Sequence, residues 1–192
     1  MNKMIWLTTL FVLLVVFVLP GIFASRLNLI PTAEQPGYDS NRRLSIYGKR
    51  EVSQKFVSED KNLAAIGTSI RNPNLNNKKE VKFDLYDQNN KLIRTSILNG
   101  ANIQDGDFIK FPFEPIADSM GKTYTFVISS PDSGPEDTIE VFYFSEPTKD
   151  ILEYTYDQQI HTGGLPLVTF SKPDSKLEVI KSVYSNWISR VI

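Results

Sequence analysis

The residues that could do chemistry are few. The only histidine, His161, stands before Thr162-Gly163-Gly164, the composition of a loop. A loop histidine can act as a general base, but it needs a nucleophile beside it, and no Gly-x-Ser-x-Gly elbow supplies one. An ordinary loop histidine is the reading that fits. Carboxylates are more plentiful: Asp84, Asp87, Asp105, Asp107, Glu114 and Asp118. A glycosidase uses two of them at a fixed separation, which spacing along the chain does not give. Asp105-Gly106-Asp107 offers oxygen ligands suited to calcium. It lacks the spaced ligand loop of an EF-hand, so a turn with solvated acids fits better. Gly163-Gly164 is not followed by the Lys-Ser/Thr of a phosphate-binding loop. There is no cysteine, hence no disulfide and no thiolate metal site. The chain is therefore read as a non-enzyme, with no catalytic residue, metal or cofactor assigned.

The elements that would position any site are short and mostly of period two. Val52, Gln54 and Phe56 alternate, and Leu63 to Ile70 follow. RNPNLNNKK, residues 71–79, is a run of turn formers. Val81, Phe83 and Leu85 oppose Lys82, Asp84 and Tyr86, and residues 87–90 return the chain into Leu92–Ile97 as a hairpin. Phe108–Phe113 is a strand whose Pro112 and nearby Pro115 point to an edge position or a strand end, because proline cannot donate to a ladder. Tyr124, Phe126 and Ile128 alternate with threonines and valine, and Thr138–Phe144 alternate again. Leu152–Tyr156 and Leu165–Phe170 are weaker candidates. Such spacing without helical periodicity predicts an all-β fold, an antiparallel β-sandwich of jelly-roll type over residues 50–172. Residues 26–49, with their prolines and glycines, are expected to be a stalk.

The two ends differ from this middle. Between Lys3 and Arg26 no residue is charged. As a helix at about 1.5 Å per residue, that run is roughly 33 Å long, enough for a hydrocarbon core of about 30 Å. Residues 1–25 are thus a transmembrane anchor or a signal peptide. The unbroken apolar stretch from Met4 to Leu19 favours the anchor, and Pro20-Gly21 before Ala24 keeps cleavage open. The membrane is the expected partner of residues 4–24. The protein is expected at the cell membrane, single-pass, with its C-terminal domain on the extracytoplasmic side. At the other end, Ser175-Lys-Leu-Glu178 is a capping box opening residues 173–192. Leu177, Ile180, Tyr184, Trp187, Ile188 and Val191 fall on one stripe of a helix. That stripe is expected to hide against its own sandwich, a lipid interface or another chain.

Lysine and arginine total 21 against 22 acids, so no basic surplus points to nucleic acid. An exported chain without cysteine suits a bacterial envelope. The stretch from Gln54 to Pro131 resembles an extracytoplasmic β-sandwich module found beside bacterial multi-spanning membrane glycosyltransferases and in other envelope proteins. The residues that carry the resemblance are Gln54-x-Phe56, Asn62-Leu63-x-x-Ile66, Val81-x-Phe83-x-Leu85-x-Asp87 and Phe111-x-Phe113-x-Pro115-Ile116-x-Asp118-Ser119-x-Gly121-Lys122-x-Tyr124. Such modules look like carbohydrate-binding jelly rolls. No multi-spanning portion accompanies this stretch here, so no transferase activity carries over. What the resemblance implies is an envelope glycan, or a membrane protein, as the partner of a binding module. Tyr86, Phe142 and Phe144 are the expected ligand-binding residues, because sugar faces stack on aromatic rings. The alternative is a structural or assembly subunit that docks through its C-terminal helix.

Overall fold

The computed structural model describes residues 2–32, 41–147, 151 and 153–191. Helix α1 (Asn2–Leu13), a π turn (Leu14–Val18) and helix α2 (Leu19–Arg26) follow one another with no non-helical residue between them. The strands come next: β1 (Ile30–Pro31), β2 (Arg43–Ile46), β3 (Val52–Val57), β4 (Leu63–Arg71), β5 (Glu80–Asp87) and β6 (Leu92–Asn99). Then come β7 (Asp107–Ile116), β8 (Thr123–Ser129), β9 (Ile139–Phe142), β10 (Glu153–Tyr156), β11 (Gln159–Thr162) and β12 (Val168–Ser171), and finally helix α3 (Lys176–Val191).

Two antiparallel sheets form a sandwich. The first runs β1-β12-β4-β9-β2, with β7 on the other side of β4; the second runs β11-β10-β3-β8-β5-β6. Strand β4 is long enough to hold two neighbours on one edge. Its Leu63–Gly67 half pairs with β12, and Ile70–Arg71 pair with β9. Proline-bearing β7 pairs with β4 alone, at an edge, as expected. The core lies between the sheets. Phe83 and Phe126 from the second sheet and Phe111 from the first are fully buried, and the Phe83 and Phe111 rings stack at 4.8 Å. Leu85, Tyr124 and Ile128 join them.

The expected stalk needs correcting. Within residues 26–49, Ile30–Pro31 pair with β12, and Arg43–Ile46 pair with β9 as an ordinary ladder. Leu44 and Ile46 face the core, so this part belongs to the sandwich. A four-residue strand is too short to show a period among prolines and glycines. Residues 33–40 of that segment lie outside the described residues.

The loops at one end are held by two fully buried asparagines within the segment read only as turn formers. The Asn72 amide donates to the carbonyls of Asn77 and Gly100 and accepts from the Asn77 N–H, each at 2.9 Å. Asn77 in turn donates to the Asp137 carbonyl at 2.5 Å and accepts from the Lys79 N–H.

Helix α3 starts at the predicted cap: the Glu178 N–H donates to Ser175 Oγ at 3.2 Å, and the Glu178 carboxylate accepts from the Asp174 N–H. Among the described residues it packs on α2, which is none of the three partners expected for it, its own sandwich, a lipid interface or another chain. The stripe also needs correcting. Leu177 is 60% exposed, whereas Val179, two residues on and on the other side of the helix, is fully buried. The side chains of Trp187, Ile188 and Val191 lie outside the described residues. No helix among the described residues is by itself long and apolar enough to cross a membrane.

Candidate functional site

Four of the carboxylates considered for catalysis or metal binding are held in structural contacts. Asp84 accepts from Thr95 Oγ1 at 2.6 Å and pairs with Lys82 at 2.6 Å. Asp87 accepts the N–H groups of Asn89 and Lys91 and closes the β5–β6 turn. Asp118 pairs with Lys122 one helical-type step on, and this holds the Asp118 carboxyl below its usual range. Asp105 takes the Arg71 guanidinium. The Asp107 side chain lies outside the described residues. Among the described residues no three His, Asp or Glu side chains converge on one point.

His161 is not in a loop. It lies in β11, and its ring stacks on Tyr154 at 5.3 Å. Tyr154 also meets Tyr143 at 5.6 Å, and its burial pushes the phenol up to about 12. The Tyr156 hydroxyl, beside His161, donates to the Ser45 carbonyl at 2.8 Å. These rings tie the β10–β11 hairpin to the sandwich edge. The hairpin was missed because its turn is Asp157-Gln158, both at positive φ (49° and 67°), in place of the Asn-Gly that signals such turns.

The three aromatic residues expected to bind ligand do not share a face. Tyr86 lies on β5 in the second sheet, half-buried and opposite Thr125. Phe142 lies on β9 in the first sheet, 6% exposed, with the Arg43 guanidinium 5.9 Å from its ring centre. Phe144 is packed against the core, and its backbone pairs with Gly164. The alternation placed Phe142 and Phe144 opposite the inward residues, but Phe142 is buried and Phe144 packs against the core. What it could not give is which strands share a sheet.

A richer arrangement occupies the outer face of the first sheet. Ala65, Gly67, Ser69 and Arg71 of β4 face outward there, since Ile66 and Ile70 face the core. Phe108 of β7 lies across Gly67. A Cβ on that glycine would come within 2.4 Å of the Phe108 ring, so only glycine admits the ring so close to the sheet. Phe108 remains 41% exposed. Beside it the Arg71 guanidinium grips the Asp105 carboxylate with two N–H groups, and burial opposes while the ion pair raises its already high pKa. Glu140 accepts from Arg43 at 3.4 Å and forms an ion pair with Arg71 at 3.6 Å. Next to Phe108, Lys110 sits 5.0 Å above the Phe170 ring. Aromatic surface thus adjoins a row of alternating charges, Asp105–Arg71–Glu140–Arg43, which cancel. Sequence reasoning passed over this set. Phe108 and Phe111 lie on opposite faces of one strand, and both faces of that strand are aromatic, so period alone does not tell outside from inside. The acids and arginines of the row are up to about a hundred residues apart and meet only through the sheet register.

No family model matches the sequence, and no curated protein matches it. Solved structures do resemble it. One holds the cysteine protease and lectin-like domains of Cwp84, a surface layer associated protein of Clostridium difficile. It has 8% identity and a TM-score of 0.46, and the match covers 76% of this chain and 36% of that one. The chain therefore spans about a third of that protein's length. Another is the CBM36-1 domain of a multidomain xylanase from the hindgut metagenome of Trinervitermes trinervoides, at 9% identity and TM-score 0.37, covering 77% of this chain and all (100%) of that domain. A third is the carbohydrate-binding module CBM36 in complex with calcium and xylotriose, at 10% identity and TM-score 0.35, covering 76% and 100%. At these scores a functional reading rests on the residues of this chain.

Proposed function

We propose that this chain is a membrane-anchored, extracytoplasmic, non-enzymatic module that binds an uncharged envelope glycan on the outer face of its first sheet. The observation that carries the reading is Phe108, whose ring lies across Gly67 and stays partly exposed, on the same face as the Arg71–Asp105 pair. An aromatic face takes the C–H surface of a sugar ring, and adjacent guanidinium and carboxylate groups exchange hydrogen bonds with vicinal hydroxyls. The charges of the row cancel, which favours a neutral saccharide over an acidic one.

Anchoring rests on the N-terminal helices. Met4, Trp6, Leu7, Leu10, Phe11, Leu14 and Val18 are all exposed, so α1 and the π turn present apolar side chains around the helix, and these seven are not covered by protein. Such a helix suits a membrane. Taken together, α1, the π turn and α2 measure roughly 35 Å, about the thickness of a hydrocarbon core. The alternative, an assembly subunit docking through its C-terminal helix, has less support, because α3 is already packed against α2.

The test is binding of the full chain, in detergent, to an array of neutral and acidic envelope polysaccharides. Phe108→Ala and Arg71→Met should each weaken binding to a neutral glycan at least tenfold, about 1.4 kcal/mol. Binding that neither substitution changes would place the site elsewhere. Retention of glycan only through acidic groups would overturn the neutral-saccharide reading.

A further inference from the structure

We infer that Asn99–Gly100 is a latent self-modification site, held unreacted by the buried asparagine pair beside it. Opening of this end of the sandwich then records itself as aspartate or isoaspartate at position 99. Asn99–Gly100 is the only Asn-Gly step in the chain. Glycine carries no side chain to obstruct its own nitrogen, so the preceding asparagine amide is open to attack in a flexible chain. The reaction balances with water alone. The Gly100 nitrogen gives its proton to hydroxide and bonds to Asn99 Cγ. The bond from Cγ to the side-chain nitrogen breaks, and ammonia leaves. Water then opens the cyclic imide. Cleavage of the Cγ–N bond gives aspartate, and cleavage at the main-chain carbonyl gives isoaspartate.

Asn99 is exposed, so water reaches its side chain, but the nucleophile is not free. The Gly100 N–H donates to the Lys79 carbonyl at 2.7 Å, which engages the nitrogen that would attack. The Asn99 side-chain oxygen accepts from the Ala101 N–H at 2.8 Å, and the backbone of Asn99 is extended, at φ −77° and ψ 131°. The Gly100 carbonyl accepts from the Asn72 amide at 2.9 Å, and a Cβ on Gly100 would run into Asn77. Gly100 is thus clamped between two fully buried asparagines. Cyclisation has to turn Asn99 and draw Gly100 out of that clamp, so it proceeds through an opened loop end. The two products differ in fit. Aspartate keeps an oxygen for the Ala101 N–H. Isoaspartate lengthens the backbone next to Gly100, where Asn77 leaves no room, so the clamp does not reclose on it.

The test incubates the full chain in detergent at mildly alkaline pH, folded and in urea, and then digests it with trypsin. Cleavage after Arg94 and Lys110 releases residues 95–110 as one peptide. Loss of the amide shows there as a mass gain, and isoaspartate as a separate chromatographic peak. The folded chain should react at least about tenfold more slowly than the unfolded one. Asn72→Ala, while still folded by circular dichroism, should react several-fold faster than the folded parent. Asn99→Gln should abolish the product, because glutamine cyclises far more slowly. Equal rates for folded and unfolded parent would overturn the protection, and no product in urea would overturn the site. A product that survives Asn99→Gln would assign the reaction to Asn102 and overturn it too. A folded Asn72→Ala chain as slow as the parent would take the lock away from the asparagines. If Asn72→Ala does not fold, the parent is followed in urea below its unfolding transition. A rate that climbs before the transition supports local opening, and one that stays flat until the whole sandwich unfolds overturns it.

Discussion

Gln54 and Leu165 pair as two strands would, although one partner is a side chain. The Gln54 amide oxygen accepts from the Leu165 N–H at 2.5 Å, and its nitrogen donates to the Leu165 carbonyl over 3.4 Å. Both residues are buried, Gln54 at 1% exposure. Strand β3 in the second sheet is thereby joined to the segment that leads into β12 of the first. Gln54→Leu keeps the volume but strands both backbone groups of Leu165 in the interior. An unpaired buried polar group costs about 1–3 kcal/mol, so the variant should lose that stability or more in urea unfolding. A variant as stable as the parent would mean that water reaches Leu165.

Gly100 and Asn77 should show strong coupling. A Cβ at Gly100 would fall 2.2 Å from Asn77 Oδ1 and 2.9 Å from the Asn77 backbone oxygen. Gly100→Ala is therefore expected to destabilise by about 1–3 kcal/mol, the usual cost of overpacking. Asn77→Ala also destabilises, since it removes the bonds to Asp137 and Lys79. The double variant relieves the side-chain part of the clash, so its loss should be smaller than the sum of the single losses. A double-mutant cycle in chemical denaturation measures this, and strict additivity would speak against the contact.

Tyr154 gives an alkaline limit to stability. Its phenol is pushed up to about 12, chiefly by burial and then by neighbouring Tyr143. An unfolded tyrosine ionises near pH 10. Between the two values the folded chain holds a proton that the unfolded chain has released. The contribution is complete below about pH 10 and is lost as pH rises towards 12. Absorbance titration of the tyrosinate band should show a late component that Tyr154→Phe removes. Its persistence in that variant would assign the late phenol to another residue.

The start of α3 is clipped to the sandwich by charge. Asp174 accepts from Lys61 and, at 2.7 Å, from the Asn62 amide. These bonds lower the Asp174 pKa and raise that of Lys61. The aspartate's share is present above its ordinary value, near pH 4, and is lost as pH falls through its lowered one. The lysine's share is present below about pH 10.4 and is lost as pH rises through its raised value. Lys61→Met should return the Asp174 carboxyl towards its ordinary midpoint in an NMR titration. It should also speed amide exchange in the first turn of α3 at neutral pH. Unchanged exchange would show that Ser175 capping alone holds the turn.

Period two was enough to read most strands, because Val81, Phe83 and Leu85 or Tyr124, Phe126 and Ile128 point one way and their neighbours the other. It also located the β7 edge, since proline removes a donor whatever the tertiary context. It failed where the pattern was shorter than about four residues, as in β2, or where the turn broke composition rules, as at Asp157-Gln158. The binding face was illegible for a different reason. Phe108, Arg71, Asp105, Glu140 and Arg43 are joined by register across four strands, and a one-residue slip in any ladder would dissolve the group. Gln54 shows the same limit in the core: the alternation placed it inward, but its partner at Leu165 is 111 residues away.

The pairing of Ile30 with Ser171 closes a loop of 141 residues. Helices α2 and α3 are attached just outside that closure. Contacts of such long range form late in folding, after the local hairpins have shortened the effective loop. The meeting of α2 with α3 follows from the same closure, because β1 and β12 bring their attachment points side by side. A sandwich that failed to pair β1 with β12 would therefore separate the points where the two helices are attached.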